Sequence, residues 1–113
     1  MIDFPNGKIN LGLHVTSKRQ DGFHNLESIF YPVKVNDALE IIVKPGSGKV
    51  NFQTEGLPIE GDVENNLIVK AVKNFGVKTF DYEIFLLKKI PMGGGLGGGS
   101  SNGTFTLKLL QKL

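Results

Sequence analysis

Six glycines and two serines fall between positions 93 and 101 of the string Pro91-Met92-Gly93-Gly94-Gly95-Leu96-Gly97-Gly98-Gly99-Ser100-Ser101-Asn102. Glycine reaches positive φ without strain and lets a ligand approach bare backbone. A run of this kind can therefore turn successive N–H groups toward one anion. Phe105, Leu109, Leu110 and Leu113 recur at helical spacing, which predicts a helix beginning at the serines. Its unpaired N–H groups and positive dipole end would face the same anion. The chemistry indicated is phosphate binding. A flexible linker is the competing reading, but linkers mix serine throughout and join two domains. Here an apolar, strand-like segment at 82–87 precedes the run and a helix follows it.

What fails to match narrows the loop type. A Walker loop needs lysine directly after its last glycine, and Gly99 is followed by Ser100. Gly93, Gly95 and Gly98 satisfy G-x-G-x-x-G, yet the acidic ribose partner expected about 20 residues on has no place within 113 residues. Neither serine has Glu or Gln three residues later to complete a capping box. One hydroxyl is expected to cap the helix, leaving the other for a ligand or metal. Asn102 and Gly103 are poor helix formers, which points to close packing or ligand approach in the first turn.

A second chemistry-bearing stretch is Pro5-Asn6-Gly7-Lys8-Ile9-Asn10-Leu11-Gly12-Leu13-His14-Val15. Its alternation predicts a half-buried strand with Ile9, Leu11, Leu13 and Val15 on the core face. Lys8, Asn10, Gly12 and His14 then share the other face, aligning a cation with an amide. His14 has no partner motif and reads as scaffold.

The elements that must position these groups are legible in outline. Residues 29–35 and 39–43 are apolar and β-prone, Pro45-Gly46-Ser47-Gly48 signals a hairpin, and 50–54 returns, so a meander on the first strand is expected. After a loop over 56–64, Asn65 or Asn66 caps a helix bearing Ile68, Ala71, Val72 and Phe75, which Gly76 stops. The fold class expected is α+β, a mixed sheet with helices on one face.

Composition removes several function classes. Thirteen basic against eleven acidic residues give +2 with no block of like charge, which argues against a nucleic-acid or anionic-membrane partner. The absence of cysteine excludes disulfides and thiolate metal sites. No apolar run approaches about 18 residues and no signal-peptide pattern opens the chain, so a cytoplasmic location is expected. Asp3, Asp21, Asp37, Asp62 and Asp81 fall in loops or at element ends, and none is spaced against Lys8 as a general base.

Taken in order, residues 5–11, Arg19-Gln20-Asp21-Gly22-Phe23-His24-Asn25-Leu26, Asn66-Leu67-Ile68 and 91–102 resemble the successive motifs of the 4-diphosphocytidyl-2-C-methyl-D-erythritol kinases, within the GHMP kinase superfamily. The glycine motif indicates the superfamily, and the Asp-Gly-aromatic-His element indicates the cytidyl-substrate branch. The resemblance implies an ATP-dependent kinase that phosphorylates the substrate's 2-hydroxyl in non-mevalonate isoprenoid synthesis. It implies that Pro91 and the residues from Gly93 through Ser101 wrap the ATP phosphates, with Ser100 or Ser101 near Mg²⁺. Lys8 would be catalytic, beside the γ-phosphate and the hydroxyl. Asn10 would bind the erythritol end, Phe23, His24 and Phe30 the cytosine, and Asn66 with Leu67 the adenine.

The chain departs from the family pattern in three ways. Gly7 replaces a usual alanine and Phe23 a frequent tyrosine. Family members run to roughly twice this length or more, with their catalytic aspartate downstream. Residues 1–113 are therefore expected to be a partial N-terminal domain without its C-terminal domain, inactive alone. A helix cut at its end would leave Phe105 and Leu109 partly uncovered and favour self-association. The alternative from another class is a non-catalytic nucleotide- or RNA-binding module with the same fold. Salt dependence would separate the two, since phosphate-backbone binding weakens steeply with ionic strength.

Overall fold

The computed structural model describes all 113 residues. Its elements, in order, are β1 (Ile2–Asp3), β2 (Asn6–Lys18), β3 (His24–Asn36), β4 (Ala38–Pro45), β5 (Val50–Gly56), a 3₁₀ turn (Val63–Asn65), α1 (Leu67–Phe75), β6 (Phe80–Lys88) and α2 (Gly98–Leu110). Strands β1, β4, β6 and β5 form one four-stranded sheet in that spatial order, and β2 and β3 form a separate antiparallel ribbon. Alternation along β4 and β6 turns Leu39, Ile41, Tyr82, Ile84 and Leu86 to one face, where Ile68 and Val72 of α1 and Leu109 and Leu110 of α2 cover them. This is the expected α+β class with helices on one face.

The meander is corrected. Strand β6 lies between β4 and β5, antiparallel to the first and parallel to the second. The 45–48 turn does not pair the strands it joins; it wraps the start of β6. Gly46 and Gly48 donate to the carbonyls of Thr79 and Phe80, and Asp81 accepts from the amides of Ser47 and Lys49 at 2.8 and 2.9 Å. Those amides hold the Asp81 carboxyl below the ordinary range.

The core face assigned to β2 is also corrected. Leu13 and Val15 are 57 % and 58 % exposed, and Ile9 and Leu11 are exposed as well, because no layer covers the ribbon. Nor do the four share one face. Ile9 pairs with Tyr31 and Leu11 with Ile29, but a register shift at Gly12, where φ is 71°, pairs Leu13 with Ser28 and Val15 with Leu26. One extra residue in a strand flips every later side chain. Leu13 and Val15 therefore join the Lys8 and Asn10 face, and His14 leaves it.

Helix ends follow local chemistry. Asn66 Oδ1 accepts from the Ile68 amide at 2.9 Å and caps α1. Gly76 ends it by turning to extended backbone, and a Cβ there would sit 2.5 Å from the Val72 carbonyl oxygen. Phe75, which shares the helical spacing of Ile68, Ala71 and Val72, is exposed, while Leu109, expected to be partly uncovered, is fully buried.

The junction of these elements is polar. Asp37, between β3 and β4, and Lys88, ending β6, are 0 % and 1 % exposed in their side chains and meet at 2.5 Å. Asn102 of α2 bridges them, accepting from Lys88 Nζ at 3.1 Å and donating to Asp37 Oδ2 at 2.8 Å. The amides of Lys89 and Ile90 donate to Asp37 Oδ1 at 2.7 and 2.8 Å, and the Asp37 amide donates to the Pro5 carbonyl. Burial alone would raise the Asp37 carboxyl, but donation from Lys88, Ile90, Asn102 and Lys89 outweighs it and holds the group below its ordinary value.

Removing one partner of a buried pair exposes the other to its full desolvation cost. Lys88→Met is expected to lower unfolding free energy by about 3 kcal/mol, the low end of the roughly 3–5 kcal/mol such losses cost, because three donors remain on Asp37. Urea denaturation measures this. Because the folded Asp37 value is depressed, its contribution is complete above the ordinary carboxylate pKa of about 3.9 and is lost as pH falls through the folded value. Stability measured downward from about pH 4 should fall less steeply in Asp37→Asn than in the parent chain.

Candidate active site

The glycine run leaves β6 and enters α2 through a backbone whose φ alternates in sign. Gly93, Gly95 and Gly97 lie at 73°, 73° and 67°, and neither Gly94 nor Leu96 is positive. Such alternation points successive N–H groups into one concavity. The helix starts at Gly98, earlier than the serines, with left-handed Gly97 as its N-cap and no side-chain cap. Ser100 and Ser101 thus occupy the first turn, and neither hydroxyl bonds within the chain. The Ser101 amide donates to the Gly97 carbonyl, while the amides of Gly98, Gly99 and Ser100 have no acceptor in the chain. They constitute the free positive end of α2.

Packing leaves this turn little freedom. A Cβ on Gly98 would lie 2.8 Å from Ile90 Cγ2 and 2.9 Å from Lys88 Nζ, and one on Gly103 would lie 3.0 Å from Leu67 Cβ. The weak helix formers Asn102 and Gly103 are therefore explained by close packing. Asn102 belongs to the buried network, and Gly103 lets α1 and α2 approach.

Lys8 crosses from the ribbon to the loop. Its amide donates to the Leu96 carbonyl at 2.8 Å. Its ammonium donates to Asn10 Oδ1 at 2.5 Å and to the Gly95 carbonyl at 2.9 Å, and lies 5.2 Å from the centre of the Phe30 ring. A cation so placed is attracted by the ring face. Lys8, Phe30, Gly95, Gly97, Ser100 and Ser101 line one cleft of about 530 Å³, with Asn6, Thr104 and Phe105 completing it. Asn66 and Leu67 line a second cavity, of about 140 Å³, with Met92, Lys88, Gly99 and Asn102. The two spaces flank the first turn of α2.

The ribbon separates the remaining candidates. Phe30 pairs with Asn10, and by register His24 stands on the same face. Lys8 pairs with Pro32 and Lys18 with His24, so at about 3.3 Å per residue the two ends lie roughly 25 Å apart. Phe23, in the turn, is highly exposed. Pro91 precedes the loop and is exposed.

Sequence reasoning missed Asp37, Lys88 and Ser28, and marked Asn102 for close packing without its partners. A signal for Lys88 existed, because it continues the inward period of Tyr82, Ile84 and Leu86. A lysine at a core position requires a buried acceptor. Nothing local marked Asp37 as that acceptor, 51 residues away.

Residues 66–113 match the family described as the GHMP kinases N terminal domain. A 4-diphosphocytidyl-2-C-methyl-D-erythritol kinase from Parabacteroides distasonis is 51% identical over 98% of this chain and 41% of its own length. The enzyme of that name from Bacteroides thetaiotaomicron is 52% identical over 99% of the chain and 42% of its own length. The chain thus spans about two fifths of the length of these curated relatives. A crystal structure of 4-(cytidine 5'-diphospho)-2C-methyl-D-erythritol kinase superposes with a TM-score of 0.76 at 35% identity, covering 99% of this chain and 40% of that one.

Gly97 and Gly99 separate backbone strain from available space. Gly97→Ala forces a side chain into left-handed backbone and sets its Cβ 3.0 Å from Lys8 Cε, with an expected cost of about 1–3 kcal/mol. Gly99 has open space, so Gly99→Ala is expected to gain up to about 1 kcal/mol of helix propensity. Thermal unfolding of the two variants should move in opposite directions.

Proposed function

We propose that this chain, whose sequence and fold are those of the N-terminal part of a GHMP kinase, supplies one wall of a phosphoryl-transfer site acting on 4-diphosphocytidyl-2-C-methyl-D-erythritol. The observation that carries the proposal is the Lys8 ammonium, tied to Asn10 and to the Gly95 carbonyl, beside the free amides of the α2 first turn. Those amides and the alternating glycines would hold the ATP phosphates. Asn66 and Leu67 would take the adenine on the far side of the turn.

Lys8 would offset charge developing between the γ-phosphate and the attacking 2-hydroxyl, and Asn10 would orient that end of the substrate. Phe30, His24 and Phe23 would hold the cytosine along the ribbon. The donor set fits Mg²⁺ only as an ion held by one hydroxyl, Ser100 or Ser101, together with phosphates and water, because no carboxylate lines the cleft and no cluster of three His, Cys, Asp or Glu side chains exists. A Mg²⁺ so bound would neutralise phosphate charge. Without a carboxylate beside Lys8, the general base belongs to the other wall, in the part of the kinase that residues 1–113 do not span.

A nucleotide-dependent kinase of small molecules fits a cytoplasmic location, and no helix is long and apolar enough to cross a membrane. The exposed apolar ribbon supports self-association of the isolated chain, now through β2 and β3 in place of α2.

The test is phosphoryl transfer from MgATP, followed by phosphorus NMR for a new phosphomonoester. The 113-residue chain alone should give none. A chimera joining it to the remaining three fifths of the Parabacteroides kinase should give product, and Lys8→Ala in that chimera should lower kcat by about 10²–10³, the size of a lost charge-stabilising contact. Turnover by the chain alone, or indifference of the chimera to Lys8→Ala, would refute the assignment.

A further inference from the structure

Lys8 and Asn10 are joined to a third side chain that the proposed function leaves unused. Lys8 Nζ donates to Asn10 Oδ1 at 2.5 Å, Asn10 Nδ2 donates to Ser28 Oγ at 2.9 Å, and Ser28 Oγ donates to the Gly12 carbonyl at 2.6 Å. A serine hydroxyl carries one proton, and a carbonyl can only accept. The proton is therefore committed to Gly12, and Ser28 meets Asn10 with a lone pair. Only the NH₂ end of the amide can answer a lone pair. The carbonyl end is thereby turned to Lys8. With the amide flipped, its NH₂ would confront the ammonium and its oxygen would confront the Ser28 lone pair, losing both bonds at once.

The bulge supplies the anchor. Without the extra residue at Gly12, the strand would continue its regular register and Ser28 would have no displaced carbonyl to bond. The positive φ of Gly12, 71° with no atom near a prospective Cβ, reserves the position for glycine on backbone grounds alone. The kink that spoils the strand's alternation is thus tied to the orientation of the group facing Lys8.

We propose that Ser28 is a positioning residue for phosphoryl transfer, fixing the Asn10 amide and through it the place of the Lys8 ammonium over the cleft. Its catalytic meaning rests on the proposed function, whereas the relay itself is testable on the chain without turnover. Nitrogen-15 NMR of the 113-residue chain compares Ser28→Ala and Ser28→Cys, which lose or weaken the hydroxyl, with Ser28→Thr, which keeps it. In Ser28→Ala and Ser28→Cys, the Asn10 side-chain amide protons should exchange with water about tenfold faster, the factor equivalent to one net hydrogen bond. The ring-current shift of the Lys8 ε-methylene protons over Phe30 should also collapse.

Ser28→Thr should retain both signatures. Unchanged Asn10 and Lys8 signals in Ser28→Ala would overturn the proposal, as would their equal loss in Ser28→Thr with the cross-strand contacts of the ribbon intact. In the active chimera, Ser28→Ala should lower kcat about tenfold with KM for MgATP unchanged and Ser28→Thr should restore it; an unchanged kcat would overturn the positioning role. Should the chimera transfer no phosphate, the NMR signatures still decide the relay, so failure of the function and failure of the relay are told apart.

Discussion

The buried contact between Asp37 and Lys88, with Asn102 across it, is the constraint from which the rest of the molecule takes its geometry. Every element of the candidate site passes through it or beside it. Asp37 receives two backbone amides at the exit of β6 and gives its own amide to Pro5, just before β2. Asn102 docks the first turn of α2 onto the same carboxylate. An apolar plug of equal volume could match its stability. It could not match its directionality, because the amide of Asn102 must meet a donor on one side and an acceptor on the other, which fixes the rotation of α2. That rotation decides where the free amides of Gly98, Gly99 and Ser100 point.

Around this junction the chain separates rigidity from reach. The four-stranded sheet and its two helices bury the apolar core, and the glycine loop is pinned between that body and Lys8. The ribbon stands outside with apolar side chains on both faces. An exposed surface of this kind marks an interface. Phosphates would be gripped by the rigid body, and the remainder of the substrate would be followed along the ribbon. Under the proposed function, the roughly 25 Å between Lys8 and His24 would be spanned by the substrate, from its reacting hydroxyl to its base.

The proposed phosphoryl transfer would ask this chain mainly for position and charge, and most of its chemistry-bearing side chains would serve position. Lys8 alone brings a full charge into the cleft. Its neighbours hold it there: the Gly95 carbonyl from the loop, Asn10 from the strand, and Phe30 beneath it. The loop is in turn held by the Lys8 backbone through Leu96, so strand and loop define each other.

Much of this was legible in the residues. The glycine run, the alternation around Lys8, the Asn66 cap and the period of Ile68, Ala71 and Val72 are local signals, because each depends on φ preference or on spacing within one element. What misled was also local. Strict alternation in β2 concealed the bulge at Gly12, since a shift in pairing is decided by the partner strand. The 45–48 turn looked like a hairpin because turn chemistry does not say which strand will fill the gap beside it. The sequence by itself determined the glycine loop, the cation opposite it and the α+β class. Tertiary structure alone decided that Lys88 is buried against Asp37, that β6 divides β4 from β5, and that Ser28 faces Asn10. Those outcomes come from contacts between residues far apart in the chain, where a buried charge or an unpaired amide must find its partner in space.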